Sequence, residues 1–455
     1  HGTAVLYAES KISFRQLTRT FPVAVQRGTT REIEVSSNFT LNESHSAFFA
    51  PAGPEMEFAE PKKKPDEWAD PEESDIGTPF RFRVRVPDNQ RPGVHEYRIA
   101  TRQSVSSVGH LLITDHPVTI EGASDNDNRQ TAQPVQVPTA ICGTIADFED
   151  VDYYRIHGNA GQDLVCQIFA QRVTRAIHTM AIRYPKIHLM DAMLTLFGPD
   201  GRIVAQNDNY IGGDALLHVK LPESGDYVLE VRDTRYAGDP RYVYCVEVSH
   251  DPFAYGSQPL AHGTGQTPSL VFSRPENVRS GTSSSGGSIP AIATTPPSAA
   301  TTTPQNRAIE IPKTLLTAIP GQPPTNYFWR GLTASGRPSN PVALLVSPHP
   351  QIVAPTGLTA GTPHPISLPL GISGSFTRPN ETHAFRFSSR KGEYSLFEVH
   401  SQRRGLAVDS VLKVLDSQGQ ELASNDDSYF TKDAKLYFQS PADGDYIVTV
   451  RDLTG

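Results

Sequence analysis

The sequence predicts an all-β chain built from tandem β-sandwiches. Three observations support this prediction: runs of alternating apolar and polar residues, frequent turn residues between them, and internal repeats. The runs FRFRVRV, LVCQIFA, YVLEVRD and YVYCVEV have the period of two that half-buried strands show. With 38 prolines, 34 glycines and no apolar stripe of helical period, we expect little helix.

The strongest repeat lies in two segments of similar length. Residues 191–233 align with residues 409–452 through a one-residue gap, and PESGDYVLEVRD in the first corresponds to PADGDYIVTVRD in the second. A weaker repeat precedes each, and both of its copies end in an apolar triplet followed by His-Pro, at His116 and His349. The chain therefore divides into two pairs, each a leading module followed by a larger trailing one.

Composition argues against several classes of function. A net charge of -8 without a long basic stretch argues against binding to nucleic acid, and no apolar run approaches the roughly 18 residues that span a membrane. The three cysteines lie in β-like segments, which favours buried apolar side chains over a redox or metal role. Because the chain starts without methionine, we expect a leader or a further region upstream.

Polar turn residues recur at matching places in the strong repeat. Asn and Asp side chains satisfy backbone amides in turns and tolerate left-handed backbone conformations. A tyrosine that follows a Pro-x-x-Gly turn resembles the tyrosine corner of sandwich proteins. We interpret these positions as structural turns in preference to calcium loops. They are Asn207, Asp208, Asp214, Tyr227, Asn425, Asp426, Asp433 and Tyr446.

The trailing repeats resemble bacterial pre-peptidase C-terminal domains. The matching motifs are GTIADFEDVDYYRI, DAMLTLFGPDGRIVAQNDN and LPESGDYVLEVRD, and then GSFTRPNETHAFRF, DSVLKVLDSQGQELASNDD and SPADGDYIVTVRD. The resemblance covers about half of the chain. It implies jelly-roll-like sandwiches that are appended to secreted hydrolases or surface proteins and are similar to the collagen-binding domains of bacterial collagenases. The leading modules are similar to immunoglobulin-like domains of the IPT/TIG kind, through RGTTREIEVSSNFTL and PGVHEYRIATRQSVSSVGHLLI.

These resemblances predict a series of modules arranged as beads. The last module ends at RDLTG, where its first copy continues into another strand, so we expect it to be truncated at its C-terminal strand. The expected segments are an N-terminal extension or the end of an upstream module (1–19), Ig-like module 1 (20–117), sandwich 1 (118–251), Ig-like module 2 (252–352) with a Ser/Thr/Pro-rich insertion (278–306), and sandwich 2 (353–455).

Acidic residues cluster at the start of sandwich 1. The stretches EGASDNDN and DFEDVD supply oxygen atoms from two segments, and calcium takes six to eight oxygen ligands. In the collagen-binding relatives calcium lies between an acidic lead-in and an Asp-rich strand start, and the resemblance carries that site to this segment. Sandwich 2 has almost no acids in these places, so we expect no calcium there. The candidate ligands are Asp125, Asn126, Asp127, Asp147, Asp150 and, at the periphery, Asp152.

Short matches to catalytic motifs do not assemble into a predicted active site. HGTAV at His1 resembles the histidine motif of subtilases, and SGTSSSGG near Ser283 loosely resembles their serine motif. Neither an Asp-Ser-Gly or Asp-Thr-Gly element nor a helical core accompanies them. His178 and His188 lack the spacing of zinc ligands. We therefore expect no catalytic residues, and no cofactor other than calcium.

The sequence thus predicts a non-catalytic protein that is secreted, periplasmic or exposed on the cell surface, with a structural or adhesive role. Its expected partners are an extracellular protein or polysaccharide, copies of itself in an envelope assembly, and further domains of the same chain. The alternative is an accessory region of a larger secreted hydrolase, such as a subtilase-type peptidase. A third interpretation, a lectin-like module, needs an aromatic platform, for which the two tryptophans are Trp68 and Trp329.

Overall fold

The described part of the chain consists of strands and turns without helices, which confirms the prediction of tandem β-sandwiches. It divides into two compact units, residues 1–208 with 213–249 (unit 1) and residues 209–212 with 250–455 (unit 2). No helix in it is long and apolar enough to cross a membrane. The structure is a computed structural model that describes residues 16–453 except 38–40, 42–43, 51, 59–78, 103, 123–125, 175–188, 211–212, 259, 263–268, 272–324, 330–338, 356, 360, 377, 402–405, 407 and 429–431.

Unit 1 begins with two four-stranded sheets that enclose an apolar core. The strands are β1 (Leu17–Phe21), β2 (Ala24–Gln26), β3 (Thr30–Ser37), β4 (Ser44–Ala50), β5 (Glu55–Phe58), β6 (Phe80–Arg85), β7 (Gly93–Thr101) and β8 (Gly109–Thr114). One sheet has the order β1-β3-β6-β5 and the other β2-β8-β7-β4. The buried side chains between them include Ile33, Val84, Ile99 and Leu111.

Two five-stranded sheets complete unit 1. Their strands are β9 (Val118–Ile120), β10 (Gln133–Val135), β11 (Thr139–Thr144), β12 (Val151–Gly158), β13 (Asp163–Phe169), β14 (Ala192–Phe197), β15 (Ile203–Asn207), β16 (Leu216–Lys220), β17 (Gly225–Asp233) and β18 (Val243–Ser249). The orders are β10-β12-β17-β14-β15 and β16-β13-β18-β11-β9. Leu164, Leu194, Leu229 and Val246 belong to the core that the two sheets share.

The alternation of the sequence explains which side chains enter this core. In β12, Tyr154 and Ile156 are buried, while Arg155 is half-buried and His157 is exposed. Successive side chains of a strand point to opposite faces, so the apolar face of β12 packs inward. The hairpin between β14 and β15 turns at Gly201, whose φ of 78° is a left-handed conformation that glycine adopts without strain.

A second apolar cluster, called here the shared cluster, joins the two sandwiches of unit 1. Strands β2 and β8 contribute Ala24 and Leu112, and strands β11 and β18 contribute Cys142 and Cys245. Polar contacts cross the same boundary: the Thr114 hydroxyl donates a hydrogen bond of 2.5 Å to Glu247 on β18. The sandwiches of unit 1 are therefore held together by buried apolar surface as well as by the chain that connects them.

The described part of unit 2 contains one five-stranded sheet and four sheets of two or three strands. Its strands are β19 (Gly256–Gln258), β20 (Ala261–His262), β21 (Ser269–Val271), β22 (Thr325–Trp329), β23 (Val342–Val346), β24 (Gln351–Val353), β25 (His364–Pro365), β26 (Gly371–Ser373), β27 (Thr382–Ser389), β28 (Tyr394–Glu398), β29 (Ser410–Leu415), β30 (Glu421–Asn425), β31 (Lys435–Gln439) and β32 (Gly444–Asp452). The sheet orders are β19-β21, β20-β23-β22, β24-β26, β25-β27-β32-β29-β30 and β28-β31. Phe387, Val414, Leu436 and Tyr446 are part of the core.

One sheet of unit 2 repeats a sheet of unit 1. The order β25-β27-β32-β29-β30 matches β10-β12-β17-β14-β15 strand for strand. Both sheets also shift register at the same place in the hairpin, between Leu196 and Phe197 in unit 1 and between Val414 and Leu415 in unit 2. The two five-stranded sheets therefore share one strand order and one position of the register shift.

Candidate functional site

The repeated Asn residues hold the start of a strand in both units. Oδ1 of Asn207 accepts a hydrogen bond of 3.0 Å from the backbone N–H of Leu216, at the start of β16. Oδ1 of Asn425 accepts one of 2.8 Å from the N–H of Lys435, at the start of β31. Both side chains thus satisfy a backbone donor. Asp208 is half-buried beside the first of them, and Asp426 is exposed beside the second.

The repeated Asp residues of these loops are buried and hydrogen-bonded. Oδ1 of Asp214 accepts hydrogen bonds from the N–H groups of Ala170 and Gln171, at 3.0 and 2.7 Å. Its Oδ2 accepts one of 2.6 Å from Nε of Arg172. In unit 2, Asp433 accepts a hydrogen bond of 2.9 Å from the N–H of Ser401. The charge of Asp214 is therefore matched by donors of the protein itself.

The repeated tyrosines close the same kind of turn. The hydroxyl of Tyr227 donates a hydrogen bond of 2.7 Å to the backbone oxygen of Glu223. The hydroxyl of Tyr446 donates one, also of 2.7 Å, to the backbone oxygen of Ala442. Each tyrosine thus fixes the residue four positions before it, while its ring lies in the core of its unit.

The acidic lead-in and the Asp-rich strand start meet at the beginning of β12. Asn126 and Asp152 are buried there, and Nδ2 of Asn126 donates a hydrogen bond of 3.1 Å to Oδ1 of Asp152. Asp150 is half-buried, whereas Asp127 and Asp147 are exposed. Asp125 lies outside the described residues, as do Trp68, His178, His188 and the insertion 278–306.

Asp152, placed at the periphery by the sequence, is 1% exposed and lies at the centre of the group. The hydroxyl of Tyr244 donates a hydrogen bond of 2.5 Å to its Oδ2, and a 2.6 Å bond links the hydroxyls of Tyr154 and Tyr244. Burial first, and then the neighbouring carboxyl of Glu121, raises the pKa of Asp152 to about 10. The ionised form of Asp152 is unfavourable here because the polar neighbours of the carboxylate do not replace its solvation by water.

Glu121 is a member of this group that sequence reasoning did not single out. It follows β9, and its backbone N–H donates to the oxygen of Cys142 on β11. Its Oε2 accepts a hydrogen bond of 3.0 Å from the N–H of Thr144, and its carboxyl contacts Asp152. Burial raises the pKa of Asp150 too, and the charge of Glu121 adds to this effect. The sequence signal that could have identified Glu121 was its position at the start of the acidic stretch EGASDNDN.

The acidic group offers oxygen donors of the kind that calcium prefers. Glu121, Asp150 and Asp152 influence one another electrostatically, so a cation among them would relieve their repulsion. The described residues do not, however, include three or more His, Cys, Asp or Glu already arranged as a metal cage. The donor chemistry fits calcium, and a complete coordination shell would need movement of these side chains or ligands from other parts of the chain.

A second candidate surface is the exposed face of the β28–β31 sheet, called here the tyrosine face. Tyr394 is 74% exposed, Leu396 49% and Tyr437 68%. Leu396 lies directly opposite Tyr437, and Tyr394 lies opposite Gln439. Beside them, Nζ of Lys435 lies 5.7 Å from the centre of the Tyr437 ring. Three large side chains thus lie together in solvent on one face of two paired strands.

The corresponding strands of unit 1 have no such surface. In the aligned repeat Val165 on β13 takes the place of Leu396, and it is only 4% exposed. His218 on β16 takes the place of Tyr437 and is half-buried. A contiguous exposed apolar group on a soluble protein marks a site of interaction more often than an isolated exposed residue does.

No protein-family model matches the chain. It is similar to a probable subtilase-type serine protease of Deinococcus radiodurans, with 34% identity over 169 residues. That match covers 33% of this chain and 21% of the protease. The chain therefore spans about a fifth of the length of the curated relative that it matches.

Solved structures give weaker likenesses. The pre-peptidase C-terminal domain of a collagenase from Bacillus anthracis is 13% identical, with 26% of this chain and 94% of that chain covered and a TM-score of 0.20. The protein SGBP-B of a Bacteroides ovatus mixed-linkage glucan utilization locus, in complex with a mixed-linkage heptasaccharide, is 8% identical over 51% of this chain and 75% of that chain, with a TM-score of 0.18. TM-scores of this size do not establish a shared fold.

Proposed function

We propose that this chain is a non-catalytic, extracellular binding region that belongs beside a secreted serine protease. The observation that carries the proposal is the 34% identity to the Deinococcus radiodurans protease over 169 residues. Identity of that extent within an all-β chain favours an accessory region over the free-standing structural protein that the sequence also suggested. A secreted protease gains from such a region when it holds the enzyme near an insoluble substrate, because local concentration then rises.

The proposed absence of catalysis follows from what a subtilase-type centre requires. A Ser-His-Asp arrangement needs its three side chains and an oxyanion hole held on one rigid core. His1 and Ser283, the residues of the two motif-like stretches, lie outside the described residues, and the described residues form strands and turns without helices. Cleavage of a fluorogenic peptide by the purified chain would contradict the proposal. Loss of this activity in His1→Ala and Ser283→Ala would identify the residues responsible.

The domain arrangement proposed for this function has two sandwiches of the pre-peptidase C-terminal type, at 118–251 and 353–455. Each follows an Ig-like module, at 20–117 and 252–352. The repeated strand order and the repeated shift of register support the paired sandwiches. The proposed location is extracellular or periplasmic.

We place the binding surface on the tyrosine face and take an extracellular polysaccharide as its partner. The rings of Tyr394 and Tyr437 are flat apolar surfaces against which the apolar face of a sugar ring packs. Gln439 and the ion pair between Lys435 and Glu398, at 3.7 Å, supply polar groups at the edge for sugar hydroxyls. Aromatic groups surrounded by polar side chains are typical of binding surfaces.

Co-sedimentation with insoluble polymers tests this function. The chain is mixed with cellulose, chitin, peptidoglycan or collagen fibres, and the bound fraction is measured across a range of polymer concentrations. We expect one polysaccharide to retain the chain and Tyr394→Ala with Tyr437→Ala to weaken retention roughly tenfold or more. Phe148→Ala is the matched control, because Phe148 is an exposed aromatic residue of unit 1.

Three outcomes of this assay contradict parts of the proposal. Retention on collagen alone would replace the polysaccharide by a protein partner. Equal loss in Phe148→Ala would show that binding does not depend on the tyrosine face. Failure of every polymer to retain the chain would contradict the binding role itself, whatever the catalytic assay shows.

We also propose calcium as a ligand of the acidic group in the first trailing sandwich, and none in the second. The support is the group of carboxyls around Asp152, where burial first and then the neighbouring carboxyl of Glu121 raise the pKa values of Asp150 and Asp152. Calcium there would stiffen the start of β12, which directly follows the acidic loop.

A further inference from the structure

The strand pairing brings two of the three cysteines face to face. Cys142 on β11 lies directly opposite Cys245 on β18 in an antiparallel register. Both side chains are fully buried and belong to the shared cluster. Cys166 on β13 points to the other side of the same sheet, into the core between the two five-stranded sheets. The alternation of side chains along strands therefore separates Cys166 from the other two.

The hydrogen-bond pattern identifies the kind of pair that Cys142 and Cys245 form. The N–H of Ile145 donates to the oxygen of Tyr242, so these two residues form a hydrogen-bonded pair. Such pairs alternate along an antiparallel ladder, which makes Cys142 and Cys245, three positions further, a non-hydrogen-bonded pair. Consistently, the oxygen of Cys142 accepts its hydrogen bond from Glu121 on the other side of the strand.

This geometry suits a covalent bond between the sulfur atoms. Cα atoms of a non-hydrogen-bonded pair lie about 4.5 Å apart, and disulfides span Cα distances of about 4.4 to 6.8 Å. The side chains of such a pair also lie on the same face and approach more closely than in hydrogen-bonded pairs. The separation expected for such a pair therefore falls within the range that a disulfide spans, although both residues are free thiols in this structure.

We propose that Cys142 and Cys245 form a disulfide bond that staples β11 to β18 beneath the leading sandwich, and that Cys166 remains a thiol. Two thiols lose two protons and two electrons as one S–S bond forms. A low-molecular-weight or protein disulfide accepts the electrons and leaves as two thiols. In the cell the proposal rests on the extracellular location proposed above, because an oxidising compartment supplies that oxidant.

The burial of Cys142 and Cys245 indicates when the disulfide forms during folding. Strands β2 and β8 cover the pair, through Ala24 and Leu112 among others. Burial, and next the neighbouring thiol of Cys142, raise the pKa of Cys245 well above its usual value. Because the thiolate is the reactive form, the covered pair exchanges slowly. The bond therefore forms before the leading sandwich packs against this sheet, and it resists reduction afterwards.

Peptide mapping of the full chain tests the proposal without any variant. The chain is unfolded, refolded with reduced and oxidised glutathione, then denatured without reductant, treated with N-ethylmaleimide and digested with trypsin. The three cysteines fall in separate tryptic fragments, 130–155, 156–172 and 242–279. We expect fragments 130–155 and 242–279 to be linked, and the label to appear on Cys166 alone. Label on Cys142 and Cys245, or a linkage that includes Cys166, would overturn the proposal.

Cysteine variants distinguish the effect of the disulfide from other effects of the cysteine side chains. Cys166→Ala should keep the linked fragments and lose all labelling, whereas Cys142→Ala should leave both Cys166 and Cys245 labelled. Reduction should lower the Tm of unit 1 in the wild-type chain by roughly 10 °C, since the bond closes a loop of about 100 residues. It should leave the Tm of Cys142→Ala unchanged. Because glutathione supplies the oxidant, failure here would concern the cysteine pair and leave the proposed location untouched.

Discussion

The hydroxyl of Tyr244 donates a hydrogen bond of 2.5 Å to Oδ2 of Asp152 in the interior of unit 1. Burial and the carboxyl of Glu121 raise the pKa of Asp152 to about 10, whereas an aspartate in an unfolded chain titrates near 3.9. The folded chain therefore keeps this proton at neutral pH. Since the folded pKa is the higher one, the stability from the protonated carboxyl is complete below about pH 4 and is lost as pH rises towards 10.

Asp152→Asn should flatten this pH dependence. The variant keeps a polar side chain next to Asn126 and Tyr244 but has no proton to lose, so its stability should fall less steeply between pH 5 and pH 9. The difference in slope is at most about 1.4 kcal/mol per pH unit. Urea unfolding at several pH values in the presence of EDTA measures it. Asp163→Asn, an exposed position of the same sandwich, is the control, and equal slopes in wild type and Asp152→Asn would contradict the assignment.

Calcium should bind the acidic group of unit 1 and leave the acidic turn of unit 2 unoccupied. We expect isothermal titration calorimetry to show one site in the wild-type chain and no heat in Asp147→Ala with Asp150→Ala. Asp426→Ala with Asp427→Ala changes two neighbouring acids of unit 2 and should bind as the wild type does. A wild-type chain without binding heat, or a first double variant with unchanged heat, would contradict the proposed site.

The affinity for calcium should also rise with pH. Asp152 must lose its proton before its carboxylate binds a cation, so binding releases protons. Calorimetry in two buffers with different ionisation enthalpies, at pH 6 and pH 8, measures that release. The same affinity and no proton release at both pH values would show that Asp152 is not a ligand.

Loss of either tyrosine corner should weaken its own unit alone. Tyr227→Phe removes the hydroxyl that donates to Glu223, and Tyr446→Phe removes the one that donates to Ala442. Each should lower the free energy of unfolding of its unit by about 1 kcal/mol, the net contribution of one such hydrogen bond. Calorimetric melting of both variants, with Tyr236→Phe as an exposed control, tests this. If Tyr236→Phe destabilised the chain by the same amount, the hydroxyls of the tyrosine corners would contribute no more to stability than an exposed tyrosine hydroxyl does.

Asp214→Ala should be far more damaging than Asp208→Ala. Replacement of Asp214 leaves the N–H groups of Ala170 and Gln171 without their acceptor and Arg172 without its partner, which costs about 3 kcal/mol or more. Asp208 lies six residues earlier in the same loop and should change stability by less than about 0.5 kcal/mol. Denaturant unfolding of both variants measures the difference. If calcium stabilised the wild-type chain but not Asp208→Ala, the loop would be a metal site after all.

Local sequence patterns predicted the strands well. YVLEVRD lies within β17, and FRFRVRV, LVCQIFA and YVYCVEV lie in β6, β13 and β18 in all but one residue each. The strand predictions from these runs are correct because the period of two along a strand directly reflects which side chains enter the core. The matching hydrogen bonds of Tyr227 and Tyr446 likewise lie within a single turn, where the sequence around them is nearly the same.

What the sequence did not reveal depends on contacts between distant segments. Glu121 reaches Asp152 because β9 pairs in parallel with β11, and no periodicity encodes that pairing. The facing of Cys142 and Cys245 depends on the register of β11 against β18. The tyrosine face is exposed, while the aligned Val165 is buried, although both lie on strands of the same pattern. Whether the outer face of a sheet is exposed or buried depends on how that sheet packs against other parts of the protein.

The shared cluster has a consequence for any attempt to dissect this chain. A cut between residues 117 and 118 would uncover Ala24 and Leu112 on one fragment and Ala140 and Val243 on the other. Each fragment would then expose to water an apolar surface that is buried in the intact chain, and it would tend to aggregate. The smallest piece of the first half worth expressing is therefore the pair of sandwiches together, which we expect to melt in a single cooperative transition.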